Sequence, residues 1–310
     1  MVVPAWTASD KRETAAWTLR KKLVPQLKWF MEPLEEKDPL KDTANHSIFT
    51  LDPSDIQGLM ARLKPDNSVN RSGVFTGGAS QAEERWRLFL EDKLPDYEKL
   101  AREPGTEGTS LMSPYLHFGQ ISPLKMALEA RERGNCEAFL EQLIVRRELA
   151  INMVHYSKNY DMFSIVPGWA KKTLDDHIRD TRERVYSLEE LESGQTADEY
   201  WNAAQMEMVR TGHMHGYMRM YWGKKVIQWT ESPKTAFEYL KLLNDRYQLD
   251  GRDPCSYAGI AWCFGMHDRP FGTFPVTGNL RRLGSGLERM RKARSSRYNR
   301  YLKRVRSGSS

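Results

Sequence analysis

Four stretches of the chain carry side chains whose types and spacing could do chemistry. The first is Gly108-Thr109-Ser110-Leu111-Met112-Ser113-Pro114-Tyr115-Leu116-His117-Phe118-Gly119-Gln120-Ile121-Ser122-Pro123. Small hydroxyl residues ahead of a proline-started helix put backbone N–H groups and hydroxyls where a phosphate can bind. Plain helix capping would leave the same pattern. The second is Phe139-Leu140-Glu141-Gln142-Leu143-Ile144-Val145-Arg146-Arg147-Glu148-Leu149-Ala150-Ile151-Asn152, where charged side chains interleave with apolar ones at helical spacing. A surface helix with Glu/Arg pairs three and four apart would look the same. The third is a set of indoles, Trp201, Trp222 and Trp229. The last two are two turns apart, so they share a helix face at a separation of about 10 Å. Indole rings can relay single electrons, and they also pack cores. The fourth is Leu243-Asn244-Asp245-Arg246-Tyr247-Gln248-Leu249-Asp250-Gly251-Arg252-Asp253-Pro254, followed by Tyr257-Ala258-Gly259-Ile260-Ala261-Trp262 and Gly265-Met266-His267-Asp268. Its Asp/Asn spacing is like that of a calcium loop, but the terminal Glu is missing. His213 and His215 are two apart on an expected helix, point different ways, and make a poor metal pair.

The elements that must position these residues are helical. Apolar residues recur at i, i+3, i+4 and i+7 over 82–94, where Trp86, Leu90 and Leu94 share a face, and in 123–134, 136–156, 173–191 and 233–247. Residues 197–229 form one long helix or two broken near Gly212–Gly216. The opening differs: 2–7 suits a strand, and Asp10 suits the N-cap of a helix over about 11–22. That strand has no other strand to pair with, which would leave its backbone donors and acceptors unmatched. It is therefore expected to be the last β-α piece of a larger α/β domain. Pro25, Pro33, Pro39, Pro53 and Pro65 mark a connection after it. The expected organisation is 1–24 remnant, 25–76 linker, 77–283 helical domain and 284–310 basic tail, and the expected class is mainly α.

The 310 residues are 40% hydrophobic and 28% charged, the balance of a globular chain. No apolar run approaches the roughly 20 residues of a membrane span, and the first residues do not form a signal peptide. Cys136, Cys255 and Cys263 are scattered and odd in number, against a disulfide framework or a Cys-rich metal site. An intracellular, cytoplasmic setting is the expectation. Net charge is +6, and residues 281–310 alone hold 11 Lys or Arg against Glu288. The tail suits a phosphate backbone as partner, or a solvated terminal helix.

Taken together and in this order, these stretches resemble the class II cyclobutane pyrimidine dimer DNA photolyases of the photolyase/cryptochrome family. The resemblance runs from about residue 2 to about 283 and is strongest in 111–123, 139–152, 200–229 and 244–262. It implies a helical domain that binds FAD in a folded, U-shaped form. It implies that Tyr97, Thr109, Ser110, Leu111 and Ser113 hold the diphosphate and ribose, with Glu148 on the flavin side. Arg219 and Asp250 would pair beside the isoalloxazine ring, and Asn244 would face its N5. Trp222, Trp201 and Trp229 would carry electrons from the surface to the flavin, while Met220, Trp262 and Gln142 would contact the lesion. The implied reaction is light-driven: reduced flavin gives one electron to a pyrimidine dimer, the cyclobutane ring splits, and the electron returns. The dimer must first be flipped out of the duplex. A neutral Asn at N5 suits that chemistry, since a carboxylate there would disfavour an anionic reduced flavin. The implied partner is dimer-containing DNA, with no metal, no membrane and a monomeric protein.

The chain departs from the pattern in three places. Gln142 stands where the family has a second Glu; it keeps a hydrogen-bond donor but has no acid proton. Phe271, Thr273, Thr277 and Asn279 stand where Trp, Glu, Phe and Lys are usual, so part of the DNA-facing edge is altered. Most of an N-terminal α/β domain is expected to be missing. The alternative reading is a photolyase-like flavoprotein or DNA-binding module without repair.

Overall fold

The computed structural model describes residues 1–35, 37–38, 40, 51–52, 54–282 and 296–307. Among them there is no strand, only an isolated bridge between Phe274 and Gly278. The helices are α1 (Ala5–Ala8), α2 (Ala16–Leu23), α3 (Leu27–Phe30), α4 (Ile56–Leu63), α5 (Ala79–Asp92), α6 (Tyr97–Leu100), α7 (Ser113–His117), α8 (Pro123–Arg133) and α9 (Glu137–Leu140). There follow α10 (Arg147–His155), α11 (Gly168–Asp176), α12 (Leu188–Glu192), α13 (Glu199–Thr211), α14 (Gly216–Trp229), α15 (Pro233–Tyr247), α16 (Pro254–Cys263) and α17 (Ser296–Ser307).

Two apolar cores hold them. The first joins α1, α2, α5, α8 and α9 around the stacked rings of Trp86, Phe89 and Phe139. The second joins α10 to α17 around Trp201, Phe237 and Phe264. The chain between α9 and α10, Glu141–Arg146, widens into a π-turn, so 137–155 runs on without a break. Such turns are rare and concentrate at functional sites.

Local chemistry sets the ends of the helices that matter most. Asp198 caps α13 by accepting from the N–H groups of Tyr200 and Trp201, both at 3.1 Å. Gly212 ends it at φ 73°, where a Cβ would meet Leu249 Cγ at 2.6 Å. His215 Nδ1 caps α14 at Tyr217 N, 3.2 Å away. Ser232 and Asp253, each followed by proline, cap α15 and α16. The expected break between 197 and 229 thus falls at Gly212.

The expected opening strand is not there. Pro4 starts α1, and the backbone N–H groups of Val2 and Val3 donate to the Glu148 carboxylate, Val3 at 3.1 Å. A carboxylate on α10 thus does what a neighbouring strand would have done. The helix expected over 11–22 begins at Ala16, and Asp10 is exposed. The segment before it is pinned instead: Glu13 N donates to Asn152 Oδ1 at 2.7 Å, Asn152 Nδ2 to Lys11 O at 3.0 Å, and the Tyr156 hydroxyl to Ser9 O at 2.6 Å. The helix expected over 173–191 splits into α11 and α12. Between them Tyr186 N donates to Trp229 O at 2.9 Å and Asp180 accepts from Val276 N at 2.9 Å, so tertiary partners replace helical ones.

Within 25–76, α3 and α4 form, while Pro39 and Pro53 lie outside the described residues. Of the basic tail, 284–295 and 308–310 lie outside them too. Between these, α17 docks on α13: Tyr301, Leu302 and Val305 are buried, the Tyr301 hydroxyl donates to Glu207 at 2.7 Å, and Arg304 and Arg306 pair with Glu207 and Glu199. No helix among the described residues is long and apolar enough to cross a membrane.

Candidate functional site

The helices α14, α15 and α16 line a partly open cavity. Its wall includes Arg219, Trp222, Asn244, Gln248, Cys255 and Ser256. Residues of two of the four chemistry-bearing stretches line it, and the first reaches it through Asp250. Arg219 Nη2 lies 2.9 Å from both oxygens of Asp250, and Arg219 Nε donates to Met214 O at 3.0 Å. Burial alone would raise the Asp250 carboxyl. The charge and hydrogen bond of Arg219, with a further hydrogen bond from Ser113, outweigh it and hold the group below the usual carboxylate range. Ser113 thereby ties the first stretch to the fourth. Burial, then the neighbouring charge of Arg219, pushes His213 down to about 3, so it stays neutral beside the ion pair.

Asn244 is buried and its amide is held from both ends. Ser256 Oγ–H donates to Oδ1 at 2.7 Å, and Nδ2 donates to Asp245 Oδ1 at 2.9 Å. Asp245 in turn accepts from Arg252 N and from the Tyr257 hydroxyl, both at 3.2 Å. An amide oriented this way keeps one N–H unspent.

From Trp222 on the cavity wall the indoles continue to Trp201 and Trp229, all three buried. Trp222 and Trp201 stack with centroids 6.4 Å apart and planes 11° from parallel. Trp201 and Trp229 meet edge to face at 5.7 Å. Trp201 Nε1 donates to Trp222 O at 3.0 Å, and Trp222 Nε1 to the buried Gln205 at 2.8 Å. Trp201 therefore sits between the two indoles of α14, which the seven-residue spacing could not show.

The second stretch builds a face further out. Gln142 is exposed on the π-turn. The Arg146 guanidinium lies 5.5 Å from the Trp262 ring centroid, and Trp262 meets His267 at 6.3 Å. Glu141 holds Arg146 at 3.0 Å and Arg20 at 2.6 Å. Met220 is half-buried on α14 and packs on the second core.

Other candidates lie elsewhere. Thr109, Ser110 and Leu111 are half-buried ahead of α7, which is a single turn; Leu111 holds φ at 56°, a left-handed conformation uncommon outside glycine. Tyr97 sits edge-on to Phe89 at 5.8 Å and to Phe139 at 5.5 Å, in the first core. Glu148 lies under the N-terminal segment and is not among the cavity's lining residues.

Sequence reasoning passed over Gln205, Gln248 and Ser256 as site residues. Gln205, one turn after Trp201 on an apolar face, was the legible one.

No protein-family model matches the chain. It is 47% identical over 308 residues to a deoxyribodipyrimidine photo-lyase of Methanothermobacter thermautotrophicus, covering 99% of this chain and 67% of the relative. It is 40% identical to that of Potorous tridactylus and 38% to that of Arabidopsis thaliana, covering 90% of this chain in each case and 53% and 59% of those proteins. The chain thus spans two thirds or less of these relatives. In fold it is similar to a class III photolyase from Agrobacterium tumefaciens, with a TM-score of 0.56 at 18% identity over 75% of this chain and 45% of that one. A cryptochrome of Synechocystis gives a TM-score of 0.53 at 17% identity over 77% and 48%.

Proposed function

The chain belongs to the photolyase/cryptochrome family, and from that premise we propose that it is a light-driven, FAD-dependent enzyme of the class II kind that repairs cyclobutane pyrimidine dimers in DNA. One observation carries the reading furthest: one cavity is lined by Arg219 of a buried ion pair, by the oriented neutral amide of Asn244 and by Trp222, which stacks on Trp201. The residues present suit a flavin. Asn244 lines the cavity, keeps a spare N–H and adds no charge.

When bound, FAD supplies light absorption and one-electron chemistry. The chain's own residues do the rest. Arg219 and Asp250 neutralise each other and fix the wall beside the ring. Asn244 offers a neutral donor where a carboxylate would oppose negative charge. Tyr97, Thr109, Ser110, Leu111 and Ser113 are proposed to hold the diphosphate and ribose, with Glu148, which accepts from Val2 and Val3, on the flavin side. Trp229, Trp201 and Trp222, in ring contact one after the other, are proposed to pass electrons toward the cavity. Gln142, Met220 and Trp262 receive the flipped dimer, whose weakened stacking makes extrusion from duplex DNA less costly.

A second reading is favoured by one residue. Gln142 is exposed and offers an amide where an acid proton would stabilise charge on a dimer carbonyl. On this reading the chain is a flavoprotein or DNA-binding module without repair. The assay that separates them illuminates the FAD-loaded, reduced chain with an oligonucleotide holding one thymine dimer. Recovered thymines in the light but not in the dark support repair. Bound flavin with no recovered thymines supports the second reading.

A further inference from the structure

The last indole of the set is poorly placed to keep a positive charge. Trp229 is buried, and the half-buried Lys225 holds its ammonium over the ring, 5.3 Å from the centroid. A neutral ring welcomes that cation, because its face is negative. A ring that has given up an electron repels it, since two like charges then lie close together and largely out of water. The same ammonium sits 5.7 Å from the Tyr221 centroid, so the indole and the phenol flank one cation.

Tyr221 differs from the indoles in what its polar end meets. It is buried, and its hydroxyl donates to Asp198 Oδ2. Asp198 Oδ1 accepts from the backbone N–H groups of Tyr200 and Trp201, both at 3.1 Å. One buried carboxylate thus touches both the phenol and the backbone of the middle indole. A phenol that loses an electron becomes a far stronger acid than a carboxylic acid, so its proton moves to a base already hydrogen-bonded to it. Tyr186 gives the contrast. It meets Trp229 edge to face at 5.3 Å, but its hydroxyl accepts from Ala197 N at 2.9 Å, and among the described residues no carboxylate is hydrogen-bonded to it. Tyr301 donates to Glu207, but it stands further off, behind Tyr200 at 5.0 Å, which in turn meets Tyr221 at 5.9 Å.

We propose that Tyr221 is the terminal electron donor of the relay and that Asp198 takes its proton. An indole radical cation of the relay gains one electron and returns to neutral tryptophan. Tyr221 supplies that electron, its O–H bond breaks, and the proton passes to Asp198 Oδ2. The products are a neutral tyrosyl radical and a neutral carboxylic acid, which leave no added positive charge beside Lys225. This rests on the flavin reading above, which supplies the oxidised indole.

The test is laser-flash absorption and electron paramagnetic resonance of the FAD-loaded chain, which tell indole radicals from tyrosyl radicals. In the wild-type chain an indole signal is expected to give way to a tyrosyl signal, more slowly in D2O than in H2O because a proton moves with the electron. Tyr221→Phe is expected to keep the indole signal and lose the tyrosyl one. Asp198→Asn still offers an oxygen to cap α13 but is a far weaker base. It is expected to lose the tyrosyl signal although Tyr221 is present, which a merely structural tyrosine would not explain. Tyr186→Phe is expected to keep it. A wild-type chain that shows indole radicals alone would overturn the proposal. So would a tyrosyl signal that survives in Tyr221→Phe or vanishes in Tyr186→Phe, or one that rises equally fast in D2O. A chain that binds FAD but gives no indole radical in the light, or that binds no FAD, would overturn the flavin reading itself, and this inference with it.

Discussion

At the scale of single residues, the account turns on groups whose partners are set by the fold. Asp250 is buried and stays ionised because Arg219 and Ser113 face it. Asp250→Ala leaves the guanidinium without its carboxylate and is expected to cost about 3 kcal/mol or more in urea unfolding; a cost under about 1 kcal/mol would show the pair to be slack. Gln142→Glu restores a carboxyl on the exposed π-turn. It is expected to raise repair per photon by up to about tenfold, the worth of one stronger hydrogen bond to the dimer. Trp222→Phe removes the indole between the cavity and Trp201, and is expected to abolish most flavin photoreduction while leaving FAD affinity near that of the wild type. Much of this site was legible in residue types: Arg219, Asp250, Asn244 and the three indoles are all quoted from sequence, and in the structure Arg219, Asn244 and Trp222 line one cavity, with Asp250 paired to Arg219 and Trp201 and Trp229 following Trp222. Ser256 and Gln248 were not legible. A serine after a capping Asp-Pro and a glutamine at a helix end look like ordinary capping residues until tertiary contact shows what they face.

At the scale of elements, sequence periodicity found the long helices and failed where tertiary contacts outbid it. The segments 9–15 and 177–187 are polar enough for helix, yet Asn152, Tyr156 and Trp229 take their backbone groups. The strand expected at 2–7 failed for a similar reason: its donors found Glu148. The tail is a further case. Eleven cations in its last thirty residues suit a phosphate partner, but on α17 Arg304 and Arg306 face Glu207 and Glu199. This element stabilises α13, which carries Trp201. Tyr301→Ala is expected to lower unfolding free energy by about 3–5 kcal/mol, as for other buried aromatics. A loss below about 1 kcal/mol would mean that the helix does not dock.

At the scale of the whole molecule, burial makes the fold sensitive to acid. His213 and His215 are held down to about 3 and about 4, both first by burial. A histidine near 6.5 when unfolded takes up a proton that the folded chain refuses, so its contribution is full above pH 6.5 and falls as pH drops. The burial-raised carboxyls of Glu148 and Glu207 act in the opposite sense, so the histidine effect is read as a difference. Between pH 6 and pH 4 the wild type is expected to lose about 1.4 kcal/mol per pH unit more than His213→Asn. Equal slopes would mean that His213 titrates freely.

The central claim is that these helices enclose a working flavin site. The most direct measurement is the visible absorption spectrum of the chain with FAD, taken before and after illumination with a reductant. The account predicts a bound-flavin spectrum that bleaches in the light and slows in doing so when Trp222 is replaced by Phe. A chain that stays colourless after FAD is added and the free cofactor is removed would contradict it.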